Sequence, residues 1–143
     1  TGAFLDAGSQ LIRMFAGYSE KVRIDASGNV IFHQMNVGSR DSIKEVVEIS
    51  KKHFPRIDIL VNNAGIAEEK PFNTISDSDW EMMMSVNLQG PFALIQELIP
   101  SMVENKWGRI INISSIGGQW GGLNQVHYDY IISFIKILST RKL

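Results

Sequence analysis

Continuous apolar runs and helically spaced ones succeed each other along the chain. "IDILVNNAG", residues 57–65, is apolar but for Asp58 until it ends in polar residues and glycine, the pattern of a parallel strand buried on both faces. "GRIINIS", residues 108–114, reads as another buried-type strand, and "KVRI", residues 21–24, as a shorter one. Val30 to Asn36 is rich in β-branched and aromatic residues and follows the turn signal Ser27, Gly28, Asn29, which predicts a strand.

Other segments carry the helical period. Ile43, Val46, Val47 and Phe54 recur at that spacing, with Asp41 in the first turn and Pro55 as the stop. Ser76, followed three residues later by Asp79, resembles a capping box with Asp in place of Glu or Gln. It opens a long helix, Asp79 to Asn105, whose apolar positions include Trp80, Met83, Leu88, Ile95, Leu98 and Met102. Leu11, Ile12, Met14 and Phe15 have the spacing of a short amphipathic helix. "GGQWGGLN", residues 117–124, predicts a glycine-rich loop, and from Tyr128 the chain reads as helix to its end. Strands alternating with helices predict one α/β domain over residues 1–143, built on a parallel sheet.

Composition narrows the function classes. The chain has 143 residues, 44% of them apolar, enough for one core. Lys and Arg (14) nearly balance Asp and Glu (15), and no block of like charge stands out. Neither nucleic acid nor an anionic membrane surface is therefore expected as the main partner. Without cysteine there is no disulfide, thiol nucleophile or thiolate metal site, which fits a reducing cytoplasm. The most apolar run, "YIISFIKIL", is interrupted by Ser133 and Lys136 and is too short for a membrane span. The histidines, His33, His53 and His127, are scattered without paired ligands, so no metal site is expected. Trp120, in the loop before Tyr128, suits a pocket lining as well as a plain loop position.

Gly2, Ala3 and Gly8 form a small-residue turn of the kind that lets backbone N–H groups approach a pyrophosphate at a helix N-terminus. Taken alone, a glycine turn capped by Asp6 accounts for the same residues. Further motifs follow in order: "NNAG" (62–65) after a strand, "VNLQGPF" with Asn87 in the long helix, "INISS" closing a strand, and Tyr128 with twelve residues between it and Ser115. In this order they resemble the short-chain dehydrogenase/reductase family, most densely from Val30 to Tyr128. The segment "GGQWGGLNQVHY" is similar to those of 3-oxoacyl-acyl carrier protein reductases and sugar dehydrogenases.

The resemblance implies a Rossmann-type doubly wound sheet and hydride transfer between NAD or NADP and a small-molecule carbonyl or secondary alcohol. By the same resemblance, Ser115 holds the substrate oxygen, Tyr128 donates the proton, and Asn87 anchors a water in a proton relay. Gly2, Gly8, Asn36, Asn62, Ala64 and Gly65 would line the cofactor, with Asn36 at the adenine. Asp25 would accept hydrogen bonds from the adenosine ribose and repel a 2′-phosphate, which favours NAD over NADP. As an ordinary turn aspartate before "SGN", Asp25 is equally accounted for.

Two departures from the family pattern bear on activity. The family places a lysine four residues after the tyrosine, where this chain has Ile132. A free tyrosine titrates near 10, so a phenol working at neutral pH needs a nearby positive charge. Lys136 would stand about 12 Å further along a helix, too far to supply it. Asp6 also falls where the family has its middle glycine, beside the expected phosphates.

The family's first strand would precede Thr1, and no crossover helix fits between Asp25 and Gly28. The strands that follow the tyrosine helix in the family are not evident either. A partial domain is therefore expected, with a gap between "KVRI" and "IDILVNN" and open edges that favour homo-oligomers. Besides the oxidoreductase reading, a catalytically inactive nucleotide-binding homologue, or a fragment serving as an oligomerisation module, fits these residues.

Overall fold

The computed structural model describes residues 11–14, 21–24, 30–31, 33–122 and 124–135. All four residues of β4 (Ile59–Asn62) are shielded, as the apolar run predicts. β4 pairs in parallel with β5 (Arg109–Asn112) on one side and with β1 (Leu11–Met14) on the other. Beyond β1 lie β2 (Lys21–Ile24) and β3 (Val30–Ile31), completing the order β3-β2-β1-β4-β5.

The left half of this sheet corrects three expectations. Leu11, Ile12 and Met14 form a central strand rather than a helix and fill the gap expected between "KVRI" and "IDILVNN". In "LIRM" the apolar residues suit a two-residue period as well as a helical one, and an unpaired β4 edge settles which is adopted. β1–β2 and β2–β3 are antiparallel, within a fold that otherwise keeps the partial Rossmann-type plan. The reason is chain length: only residues 25–29 lie between β2 and β3, enough for a hairpin connection but not for a parallel crossover. β3 itself covers Val30–Ile31, and residues 33–36 are not strand. Phe15 lies outside the described residues.

Helix α1 (Arg40–His53) follows from its own signals. The Ser39 side chain accepts from the Ser42 N–H, Asp41 stands in the first turn, and three basic residues close the last. Its buried Ile43, Val46 and Val47 pack with Leu94, Leu98 and Met102 over Leu60 and Ile110 of the sheet.

The expected long helix is two α-helices with a π-turn between them: α2 (Asp77–Met84), the wide turn Ser85–Gln89, and α3 (Gly90–Glu104). Pro91 has no N–H to offer the carbonyl of Asn87, four residues back, so a regular α-ladder cannot run through this point. The Gly90 N–H reaches Ser85 O instead. Gly90 also passes so close to the next layer that a Cβ there would lie 2.6 Å from Val37 O. The π-turn thus has a local cause, and it carries Asn87, a location typical of functional π-bulges.

The capping box at Ser76 is complete, with Asp79 Oδ2 accepting from the Ser76 N–H (2.8 Å) and from Lys70 Nζ (2.6 Å). The Lys70 hydrogen bond first, then those from the Ser76 hydroxyl and backbone, hold the Asp79 carboxyl well below the usual carboxylate range. Its partner Lys70 is raised, by the same hydrogen bond first. The sign is that of a depressed acid: the stabilisation is present above the unfolded value of 3.8 and is lost as pH falls below it. Asp79→Asn should therefore flatten the acid limb of stability between about pH 4 and pH 2, measured by urea unfolding across that range. Parallel acid limbs in the two proteins would show that the pair is uncoupled from folding.

β5 differs from the buried strand expected. It is an edge strand among the described residues, and Ile111 is 45% exposed. Past it, the predicted glycine loop contains a short helix, α4 (Gly117–Trp120). The final helix, α5 (Val126–Ile135), starts two residues before Tyr128, and Lys136 lies outside the described residues.

Candidate functional site

Parallel strands side by side end at one rim of the sheet, and at that rim, beyond the carboxyl ends of β4 and β5, lies a cavity of about 310 Å³. Four pieces of chain wall it. They are the segment Asn62–Ala67 leaving β4, Asn87 and Pro91 of the π-turn and α3, the segment Asn112–Ser115 leaving β5, and Tyr128 with Ile132 of α5. The location follows the general rule for open α/β sheets, whose ligands bind outside the carboxyl ends of the strands.

Asn62 and Asn112 are register partners on β4 and β5, and Asn62 Nδ2 donates to Asn112 Oδ1 (2.8 Å). Asn62 Oδ1 is buried and has no hydrogen-bond partner among the described residues. A buried acceptor without a donor is costly, and this one borders the cavity. Asn87, 1% exposed, has both side-chain atoms committed. Its Oδ1 accepts from the Ile66 N–H (2.9 Å), and its Nδ2 donates to Ile66 O (2.8 Å) and to Met83 Sδ (2.9 Å). The loop after β4 is thereby clamped to the π-turn. Gly65 belongs to the same contact, since a Cβ there would stand 3.1 Å from Asn87 Oδ1.

On the facing wall, Ser115 Oγ accepts weakly from the Gly117 N–H (3.3 Å). Tyr128 is half-buried on α5, and Ile132, one turn later, is 5% exposed. The outer rim is tied together by Lys70 N–H donating to Asn124 O (2.7 Å) and by Gln125 Nε2 donating to Glu69 Oε1 (3.1 Å). Asn124 takes a positive φ of 59°, a backbone state that asparagine tolerates better than most residues.

Of the residues singled out in the sequence, Asn62, Ala64, Gly65, Asn87, Ser115 and Tyr128 all border this cavity. Asn36 does not. It is exposed, and its Oδ1 accepts from the Gly38 N–H (3.0 Å), making a turn of the type asparagine favours. Gly2, Gly8 and Asp25, with Asp6, lie outside the described residues. Trp120 is 83% exposed and is not part of the cavity wall. Asn112 and Ser114 were missed in the sequence, although "IIN" repeats the apolar-to-asparagine ending of "LVN" on the neighbouring strand. His127 is fully buried, with neither ring nitrogen bonded among the described residues. Within the same residues, no group of three or more His, Asp or Glu could hold a metal ion, and no helix is long and apolar enough to cross a membrane.

The arrangement brings the hydroxyl-bearing Ser115 and Tyr128 and the amide of Asn62 to the lining of one space, with Ile66 and Ile132 as apolar walls. Such a cleft at a parallel-strand rim defines the class of Rossmann-type α/β proteins. The family model described as short chain dehydrogenase matches residues 13–129, and the chain belongs to that family. It is 41% identical over 101 residues to the 3-oxoacyl-acyl-carrier-protein reductase FabG of Thermotoga maritima, an alignment covering 71% of this chain and 41% of that protein. It is 37% identical over 94 residues to the acetoacetyl-CoA reductase of Cupriavidus necator, covering 66% and 38%. A crystal structure of a metagenomic short-chain oxidoreductase in complex with NADP superposes with a TM-score of 0.73 at 30% identity, covering 79% of this chain and 52% of that one. The chain thus spans less than half the length of the curated relatives it matches.

Proposed function

We propose that this chain forms the cofactor-and-substrate cleft of an NAD(P)-dependent oxidoreductase that interconverts a small-molecule carbonyl and a secondary alcohol. The observation that carries the reading is the convergence of Asn62, Asn87, Ser115 and Tyr128, from four separate elements, on one cavity.

A nicotinamide cofactor fits the residues present. The buried Oδ1 of Asn62 needs a donor, and Ala64 and Gly65 present little more than backbone to the space beside it. These three residues would hold the group, which supplies or accepts the hydride when bound. Gly2 and Gly8 are assigned its pyrophosphate by family resemblance alone, since both precede β1 in the chain whereas this cleft lies beyond the carboxyl ends of the strands.

The chain's own residues handle the oxygen and the proton. Ser115 donates a hydrogen bond to the substrate oxygen and orients it, and the Tyr128 hydroxyl delivers the proton during reduction. The Asn87 side chain is committed to Ile66, so the water-anchoring role implied by resemblance would fall to its backbone carbonyl, which Pro91 leaves without its usual i+4 donor. With Ile132 in the lysine place, the phenolate lacks a cation, and turnover is slow.

The charge of Asp25 favours NAD, whereas the solved relative is in complex with NADP, so both belong in the test. A cytoplasmic location suits a chain without cysteine. Phe92 and Val103 expose apolar surface on one face of α3, which supports self-association through that helix.

Calorimetric titration with NADH and NADPH, alongside sedimentation analysis, tests the reading. Binding of at least one cofactor is expected, weakened roughly 10-fold in Asn62→Ala, the effect of one lost hydrogen bond. Failure of both to bind a folded protein would leave the oligomerisation module as the better account.

A further inference from the structure

Asp129 follows Tyr128 directly, so its side chain leaves α5 about 100° around the helix from the phenol. Its carboxylate lies inside the glycine turn that runs from Ser115 to α5. Oδ2 accepts a hydrogen bond from the Gly122 N–H at the far end of that turn. Oδ1 lies against Gly117 at the near end, leaving no room for a side chain there. A Cβ on Gly117 would also stand 3.3 Å from Tyr128 Cε1. The Gly117 N–H donates in turn to Ser115 Oγ. A single residue therefore separates the Ser115 hydroxyl from both Asp129 and the tyrosine ring.

The neighbouring contact is as close. A Cβ on Gly118 would meet the Ile132 carbonyl carbon at 3.1 Å and the Ser133 nitrogen at 3.1 Å, so α4 rests on the backbone of α5. Within this contact Asp129 Oδ1 is buried and makes no hydrogen bond among the described residues. A carboxylate in such a place costs stability, and what it secures is the geometry of the turn.

We infer that Asp129 is a positioning residue: its carboxylate staples the far end of the Gly117–Gly122 turn to the helix of Tyr128 through the Gly122 hydrogen bond, packs against the near end at Gly117, and so sets the Ser115 hydroxyl against the phenol. The inference rests on the oxidoreductase reading for its catalytic consequence. The staple itself is independent of that reading.

Amide NMR on the full chain reads the staple directly. A hydrogen bond to a carboxylate moves an amide proton downfield and slows its exchange. In Asp129→Ala the Gly122 amide proton should shift upfield and exchange at least ~10-fold faster, while amides of α1 and α3 keep their protection, which excludes global unfolding. Asp129→Asn retains one acceptor oxygen and should restore Gly122 protection to within ~3-fold of the parent. In acetoacetyl-CoA reduction, Asp129→Ala should lower kcat at least ~10-fold with KM changed less than ~3-fold, and Asn should recover most of it, as expected for misplacement rather than lost binding. Unchanged Gly122 exchange in Asp129→Ala overturns the staple. Altered exchange with an unchanged kcat, in a protein that Tyr128→Phe inactivates, overturns the positioning role. If no variant, parent included, reduces the thioester while exchange responds as stated, the staple stands and the oxidoreductase reading is what failed.

Discussion

Ile132→Lys should raise the rate of NAD(P)H-dependent carbonyl reduction by at least ~10²-fold, the low end of what positioned acid–base catalysis contributes. Ile132 borders the same cavity as Tyr128, one helical turn along, and is nearly fully buried. A lysine there would project its ammonium into the cleft beside the phenol, stabilise phenolate, and offer a donor to a bound ribose. Steady-state assays with acetoacetyl-CoA measure the gain. Tyr128→Phe in the lysine background should abolish it, because the ammonium acts through the phenol. A lysine variant that folds, binds cofactor and gains nothing would remove Tyr128 from the role of acid, and equal rates with and without Tyr128 would do the same.

Asn87→Ala should cost about 3 kcal/mol of stability, because it leaves the Ile66 N–H and C=O without their side-chain partners and opens a small void beside Met83. Asn87→Asp should fall between the two, since a carboxylate can still accept from Ile66 N–H but cannot donate to Ile66 O. Urea unfolding gives the energies. Cofactor affinity should fall with stability in the alanine variant, because the clamped segment Asn63–Ala67 is one wall of the cleft. A loss below about 1 kcal/mol would mean that solvent replaces both bonds and that the clamp is not structural.

The two halves of the sheet differ in how far they could be read ahead. β4, α1 and the start of α2 were legible because each is specified locally: an apolar run, a serine cap with an acidic first turn, and a capping box that closes between residues three apart. The edge position of β5 was not legible, since its burial depends on what lies beside it rather than on its own apolar content. Asn36 shows the same limit at the site. Its place in the family pattern implies an adenine contact, whereas only the structure shows that its side-chain oxygen accepts from the Gly38 N–H two residues on.

By itself the sequence determined the family, the helix α1 and the start of α2 with their caps, and the four motifs that supply Asn62, Asn87, Ser115 and Tyr128, all carried by residue type and spacing. Only the tertiary structure decided that "LIRM" is a central strand, that β2 and β3 run antiparallel, that the Asn87 amide belongs to Ile66, and that the Asp129 carboxylate holds the Gly122 N–H of the glycine turn. The division has one physical cause. Caps and periodicity satisfy hydrogen-bonding groups within a few residues, whereas a strand edge or a buried amide is satisfied by whichever distant segment the fold brings to it.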